Sequence, residues 1–170
     1  RSELLKRFVR DLTIFNFLWG SLESAVRQIN PKGFDNKLAE DVLNMNHNCP
    51  NMGIYFLRNR YEPQDPVEEY RPTLDELKTV IKRVGDHEWT LERLEVHDYM
   101  GETGYGLFLV SQIRNDFAHG SAVVPRPDSW QGSLSESERQ RADLVRTSSR
   151  ILLFTIQMML IAVYRCGRAD

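Results

Sequence analysis

Eight apolar residues, Leu5, Phe8, Leu12, Phe15, Trp19, Leu22, Val26 and Ile29, follow one another in alternating steps of three and four. Steps of that kind hold side chains on a single stripe of an α-helix, and a stripe kept up over four heptads needs a partner along its whole length. At 1.5 Å per residue the helix runs about 40 Å, and Pro31 and Gly33 end it. A chain that opens in this way is committed to lengthwise helix packing. The stripe reads as bundle core rather than as a cofactor box, and Gly20 is a place where another helix could come close.

The remainder of the chain continues in helices. A second helix is predicted over 35–46, followed by a polar loop with Pro50 and Gly53 and a short helix over 54–60. Residues 61–72 are acidic and carry Pro63, Pro66 and Pro72, the signature of an exposed loop. Thr73 and Glu76, three apart, read as a capping box that opens a helix ending near Val84. One more short helix is predicted over 89–99, and Gly101, Gly104 and Gly106 mark the approach to the next one. In that helix Leu107, Leu109, Val110, Ile113 and Phe117 keep helical spacing, and Gly120 sits where a C-terminal glycine ends a helix in a left-handed turn. A loop with Pro125 and Pro127 follows, and the last helix starts at Ser133 or Ser135, each with a glutamate three residues on, and runs to about Arg165. Its second half is apolar nearly all round, as befits a central core helix or part of a dimer interface. No segment alternates with period two for long enough to make a strand, and no repeat or linker divides the chain. The reading is one all-α domain over 1–170, a bundle with a long N-terminal helix and a long apolar C-terminal helix.

Composition narrows the function classes. With 41% hydrophobic and 27% charged residues the 170-residue chain is of ordinary globular make-up. A net charge of −2 argues against a non-specific polyanion binder and makes any RNA contact local. The positive charge is 17 Arg against 5 Lys, which suits phosphate recognition and equally reflects a GC-rich coding genome. Cys49 and Cys166 form neither a CxxC pair nor a disulfide framework, and the N-terminus has no leader pattern, so a cytoplasmic setting is expected. A chain opening on Arg1 leaves room for residues upstream. The most apolar run, 151–163, is 13 residues long and holds Thr155 and Gln157, too short to span a bilayer; no membrane association is expected.

The chemistry concentrates in Arg114, Asn115 and His119. Arginine brings planar, permanently charged donors matched to phosphate oxygens, and histidine exchanges a proton near neutral pH. Asn115 and His119 are four apart and share a helix face, whereas Arg114 and His119 are five apart and turned by about 140°. They converge on one phosphate if the helix unwinds at the histidine, if the arginine reaches round, or if two copies of the motif meet across a symmetric interface. The plainer alternative is a charged helix end, with His119 a cation at the negative pole of the helix dipole and Arg114 in a local salt bridge.

Arg114, Asn115, His119 and Gly120 resemble the R-x4-6-H signature of the HEPN superfamily, in which a polar residue follows the arginine and the motif lies on a helix of a small all-α bundle. The resemblance covers about seven residues specifically and the rest only by helical pattern and length. It implies a metal-independent endoribonuclease whose motifs pair at a homodimer interface, acting as a toxin or defence effector with an antitoxin or other protein partner. It equally covers members that only bind RNA or protein. One subgroup, paired with nucleotidyltransferase antitoxins, has a tyrosine two residues after the histidine; Ser121 stands there, so that partner is not carried over. In the nuclease reading His119 acts as general base on the ribose 2′-OH or as general acid on the leaving 5′-oxygen, Arg114 stabilises the phosphorane, and Asn115 orients the imidazole or the phosphate. No metal or cofactor is called for.

Other groupings carry less. Arg139, Arg146 and Arg150 share a face of the last helix, but Asp143 lies among them, so intrahelical ion pairs outweigh an RNA track. Glu23 is read as an ion-pair partner of Arg27, and Asp116 as a residue of the solvent face. His47 with Cys49, and His87 with His97, lack zinc-site spacing. There is no Gly-rich phosphate loop, no GxSxG and no cysteine in a nucleophile setting.

Overall fold

The computed structural model describes residues 2–28, 53–58, 67–84, 101–118 and 136–166. All of these are helical except Val67, Glu68 and Glu69, and no strand occurs among them. Five helices are described: α1 (Ser2–Gln28), α2 (53–58), α3 (Tyr70–Val84), α4 (Gly101–Ala118) and α5 (Glu136–Cys166). The helices read over 35–46 and 89–99, the loop at 120–133 and the breakers Pro31 and Gly33 lie outside the described residues.

The heptad stripe of α1 faces the core as its spacing requires: Phe8, Phe15, Trp19, Leu22 and Val26 are buried and Leu12 partly so. α5 is the helix they meet. It packs along α1, α3 and α4, burying Val145, Ile151, Leu152, Met158 and Met159. The α1–α5 contact is tied electrostatically through Asp11, a carboxylate only 10% exposed on α1, with Arg146 Nε of α5 standing 3.8 Å from Oδ2. Between α3 and α5 the tie is hydrogen-bonded: Arg150 donates to Glu76 Oε2 at 2.6 Å and to Thr73 Oγ1 at 3.0 Å.

A segment of α5 covering 26 residues, Arg139–Tyr164, is long and apolar enough to cross a membrane by length and composition, a longer stretch than the run read from sequence. Its most apolar window is 44% buried inside the fold. The outward side carries exposed Leu153, Leu160, Ile161, Val163 and Tyr164.

Three expectations are corrected. α3 begins at Tyr70, a turn before the supposed capping box, so Tyr70, Arg71 and Pro72 belong to the helix and not to a loop. Pro72 is tolerated because N–H groups of a first turn have no intrahelical acceptor. Thr73 Oγ1 instead donates back to Glu69 O at 2.7 Å, and Glu76 is spent on Arg150. Gly104 and Gly106 lie inside α4, not ahead of it, and both are buried; Gly101 is its first residue, with a φ of 64° that favours glycine. A Cβ on Gly106 would run into the Tyr70 hydroxyl, and one on Gly104 would meet Ile54 Cγ2 at 2.8 Å. Gly20 approaches nothing; it is exposed with open space around it.

α2 and α3 thus close on bare backbone of α4. Tyr70, fully buried, donates from its hydroxyl to Thr103 O at 2.7 Å. Tyr105, two residues beyond that carbonyl, is also buried, and desolvation raises its hydroxyl pKa above the usual 10.0.

Candidate functional site

The site grows from the way α1 and α4 lie together. Phe15 meets Phe117 with ring centroids 6.5 Å apart and planes tilted by 59°, and one turn further along α1 the Trp19 ring lies under Arg114. Later still, Val26 and Leu107 approach the same point, Gly53 of α2. Positions rise along α1 as they fall along α4, so the two helices run in opposite senses. Side chains from the last turns of α4, where Arg114 and Asn115 stand, thus reach the middle of α1.

Arg114 is half-buried, and its guanidinium carbon is 5.7 Å from the centroid of the Trp19 ring. A cation over an indole face at that range is attracted by the ring quadrupole. Its Nη1 donates to Asn115 Oδ1 at 3.3 Å, a long bond and the only hydrogen bond of its fork among the described residues. No carboxylate among the described residues forms a salt bridge with Arg114. Asn115 is also half-buried, so the two adjacent polar groups are held at the rim of the core and not on an open surface.

His119 and Gly120 lie outside the described residues. α4 is helical through Ala118, the residue before the histidine, and its buried side is set by Leu109, Val110 and Ile113. Arg114 and Asn115 are therefore brought together, while the third predicted site residue has no described place beside them.

Sequence reasoning missed Trp19 and Glu23 as members of this cluster. Trp19 Nε1 donates to Glu23 Oε1 at 2.7 Å, so Glu23 serves the indole, a role the ion-pair reading did not foresee; the Arg27 side chain lies outside the described residues. The spacing of Trp19 and Glu23, four apart on one helix, was a readable signal for that bond. Nothing in the local sequence of α1 pointed to Arg114. Asp116, expected on the solvent face, is half-buried and has an interaction of its own.

Of the intrahelical pairs expected on α5, Arg146 makes the one with Asp143, its Nη1 lying 3.2 Å from Oδ1, whereas Arg150 pairs across to α3. His47, Cys49, His87 and His97 lie outside the described residues, and among the described ones no three His, Cys, Asp or Glu side chains gather as metal ligands would. What the described cluster can do chemically is present a restrained guanidinium edge and an amide to an oxyanion. No family model, no curated protein and no solved structure matches the chain.

Proposed function

We propose that this chain is a metal-independent endoribonuclease of the HEPN kind, working as a homodimer in which Arg114, Asn115 and His119 of both copies converge on one RNA phosphodiester. The observation that carries the reading is the state of Arg114: half-buried, seated on an aromatic ring, next to Asn115, with no described carboxylate neutralising it. A structural arginine on a helix is ordinarily consumed by a nearby acid, as Arg146 and Arg150 are in this chain. A guanidinium that no described carboxylate neutralises suits an anion that arrives from outside.

In this reading a ribose 2′-OH attacks the adjacent phosphorus while its proton passes to a base. The P–O5′ bond breaks, the 5′-oxygen takes up a proton, and the products are a 2′,3′-cyclic phosphate and a 5′-OH. His119 acts at one of these proton transfers, and Arg114 neutralises the charge gathered on the phosphorane oxygens. DNA, lacking the attacking hydroxyl, resists. A toxin or defence effector acting on RNA in the cytoplasm, held in check by a protein antitoxin, is the biological setting that goes with this chemistry.

The test is cleavage of a mixed single-stranded RNA in EDTA beside Arg114→Ala and His119→Ala. Cutting by the wild type that both substitutions lower by roughly a hundredfold or more supports the reading. RNA left intact by all three, or cut equally by all three, sinks it. The second reading would then take its place: a non-catalytic HEPN-like module that binds RNA or protein, favoured by the exposed apolar residues Leu153, Leu160 and Tyr164 on the outward side of α5.

A further inference from the structure

We infer that Trp19 and Glu23 are positioning residues for Arg114, acting as a relay that points its guanidinium edge toward a phosphate; the inference rests on the phosphate-binding role proposed for Arg114. Three observations combine. Trp19 is 7% exposed and sits in the core stripe of α1, so its ring plane is fixed by packing. Its one polar atom, Nε1, donates to Glu23 Oε1 at 2.7 Å, which fixes the ring a second time. The face left over is the one beneath Arg114, 5.7 Å from ring centroid to guanidinium carbon.

An arginine side chain is long and flexible and, unrestrained, spreads over many rotamers. A fixed aromatic face selects those that lay the guanidinium over it, leaving the N–H edges to point outward. The carboxylate strengthens that selection. Hydrogen bonding of an indole N–H to a negative acceptor pushes electron density into the ring, and the cation–π attraction grows with the negative charge of the face. Glu23 itself forms no salt bridge with Arg114, so it steadies the arginine without neutralising it. Phe15 against Phe117, one turn away, holds the two helices at this spacing. Asn115 Oδ1, accepting from Arg114 Nη1 at 3.3 Å, limits rotation about the last bonds from the other side.

The experiment follows the arginine directly. In the full chain, the 15Nε–1Hε resonance of Arg114, assigned by its disappearance in Arg114→Lys, should be displaced from the bulk arginine position by the ring current of Trp19. A fully 2′-O-methylated single-stranded RNA oligonucleotide, which cannot undergo 2′-OH attack, serves as the phosphodiester probe. In the wild type the probe should move the Arg114 resonance. Glu23→Ala and Trp19→Leu should return the resonance toward the bulk position and weaken probe binding by roughly fivefold to tenfold. Glu23→Gln, which keeps an acceptor for the indole N–H but loses its negative charge, should fall between wild type and Glu23→Ala in both resonance position and probe binding. A wild-type resonance at the bulk position, or one unmoved by the probe or by Glu23→Ala, overturns the inference. If Trp19→Leu loses its fold, the two Glu23 variants decide the matter. Cleavage of unmodified RNA separates this inference from the function it rests on. A protein that cuts RNA with Arg114 indifferent to Glu23 and Trp19 is a nuclease without this relay. One that binds the probe through a relayed Arg114 yet leaves RNA whole keeps the relay and loses the nuclease.

Discussion

At Gly106 the backbone of α4 runs against the Tyr70 ring with no room for a methyl group: an added Cβ would overlap the hydroxyl and come within 3.0 Å of Cζ. That hydroxyl is pinned from its other side by its bond to Thr103 O. Gly106→Ala should therefore cost about 1–3 kcal/mol through overpacking, and Tyr70→Phe about 1 kcal/mol through the lost hydrogen bond. Together they should cost less than their sum by roughly 1 kcal/mol, because removing the hydroxyl clears the space that the new methyl needs. Urea denaturation of the four proteins measures this; strictly additive losses would mean that the two residues are not in contact. The same kind of close approach, Gly104 to Ile54, explains why two of the glycines that looked like loop punctuation are in fact docking points inside a helix. Their partners come from 36 and 50 residues earlier in the chain, beyond the reach of any local pattern.

Among the helices, α1 was the most legible, since a long one-sided stripe has only one way to be buried. Phe15 lies on the stripe and is 1% exposed; Phe17, two residues on, lies off it and is 73% exposed. Phe15→Ala should lower the unfolding free energy by about 3–5 kcal/mol and Phe17→Ala by no more than about 0.5 kcal/mol. Comparable losses from the two, read from denaturant midpoints, would show that α1 is rotated so that its stripe no longer faces α5, or that its outer face is covered. The start of α3 was misread because Thr73 and Glu76 have the chemistry of a capping box and a second use for it. Glu76 meets Arg150, 74 residues away, and only tertiary structure reveals which partner wins. At the candidate site, the adjacency of Arg114 and Asn115 was plain in the sequence. The contribution of Trp19 and Glu23 was not, because it depends on where α1 and α4 lie against each other.

For the molecule as a whole, the arrangement of charge says how the proposed nuclease should hold RNA. The net charge is −2, and two of the three arginines that could have formed a basic track on α5, Arg146 and Arg150, are spent on Asp143, Asp11 and Glu76. Among the described residues, the proposed homodimer then offers one restrained guanidinium per copy, two in all, to the backbone of a bound strand. Each phosphate neutralised on single-stranded nucleic acid contributes a slope of about −0.7 to log K against log salt, so two contacts predict a slope of roughly −1.4. Binding of the 2′-O-methylated oligonucleotide, measured between low and physiological salt on protein sedimenting at twice the chain mass, should follow that shallow dependence. Arg146→Ala and Arg150→Ala should leave the affinity within about twofold, while Arg114→Ala should abolish most of the slope. A slope near roughly −4, or a large loss from Arg150→Ala, would place the RNA along α5 and not at the end of α4. A particle of single-chain mass that binds with the same slope would remove the dimer, because the described residues of one copy supply a single such arginine.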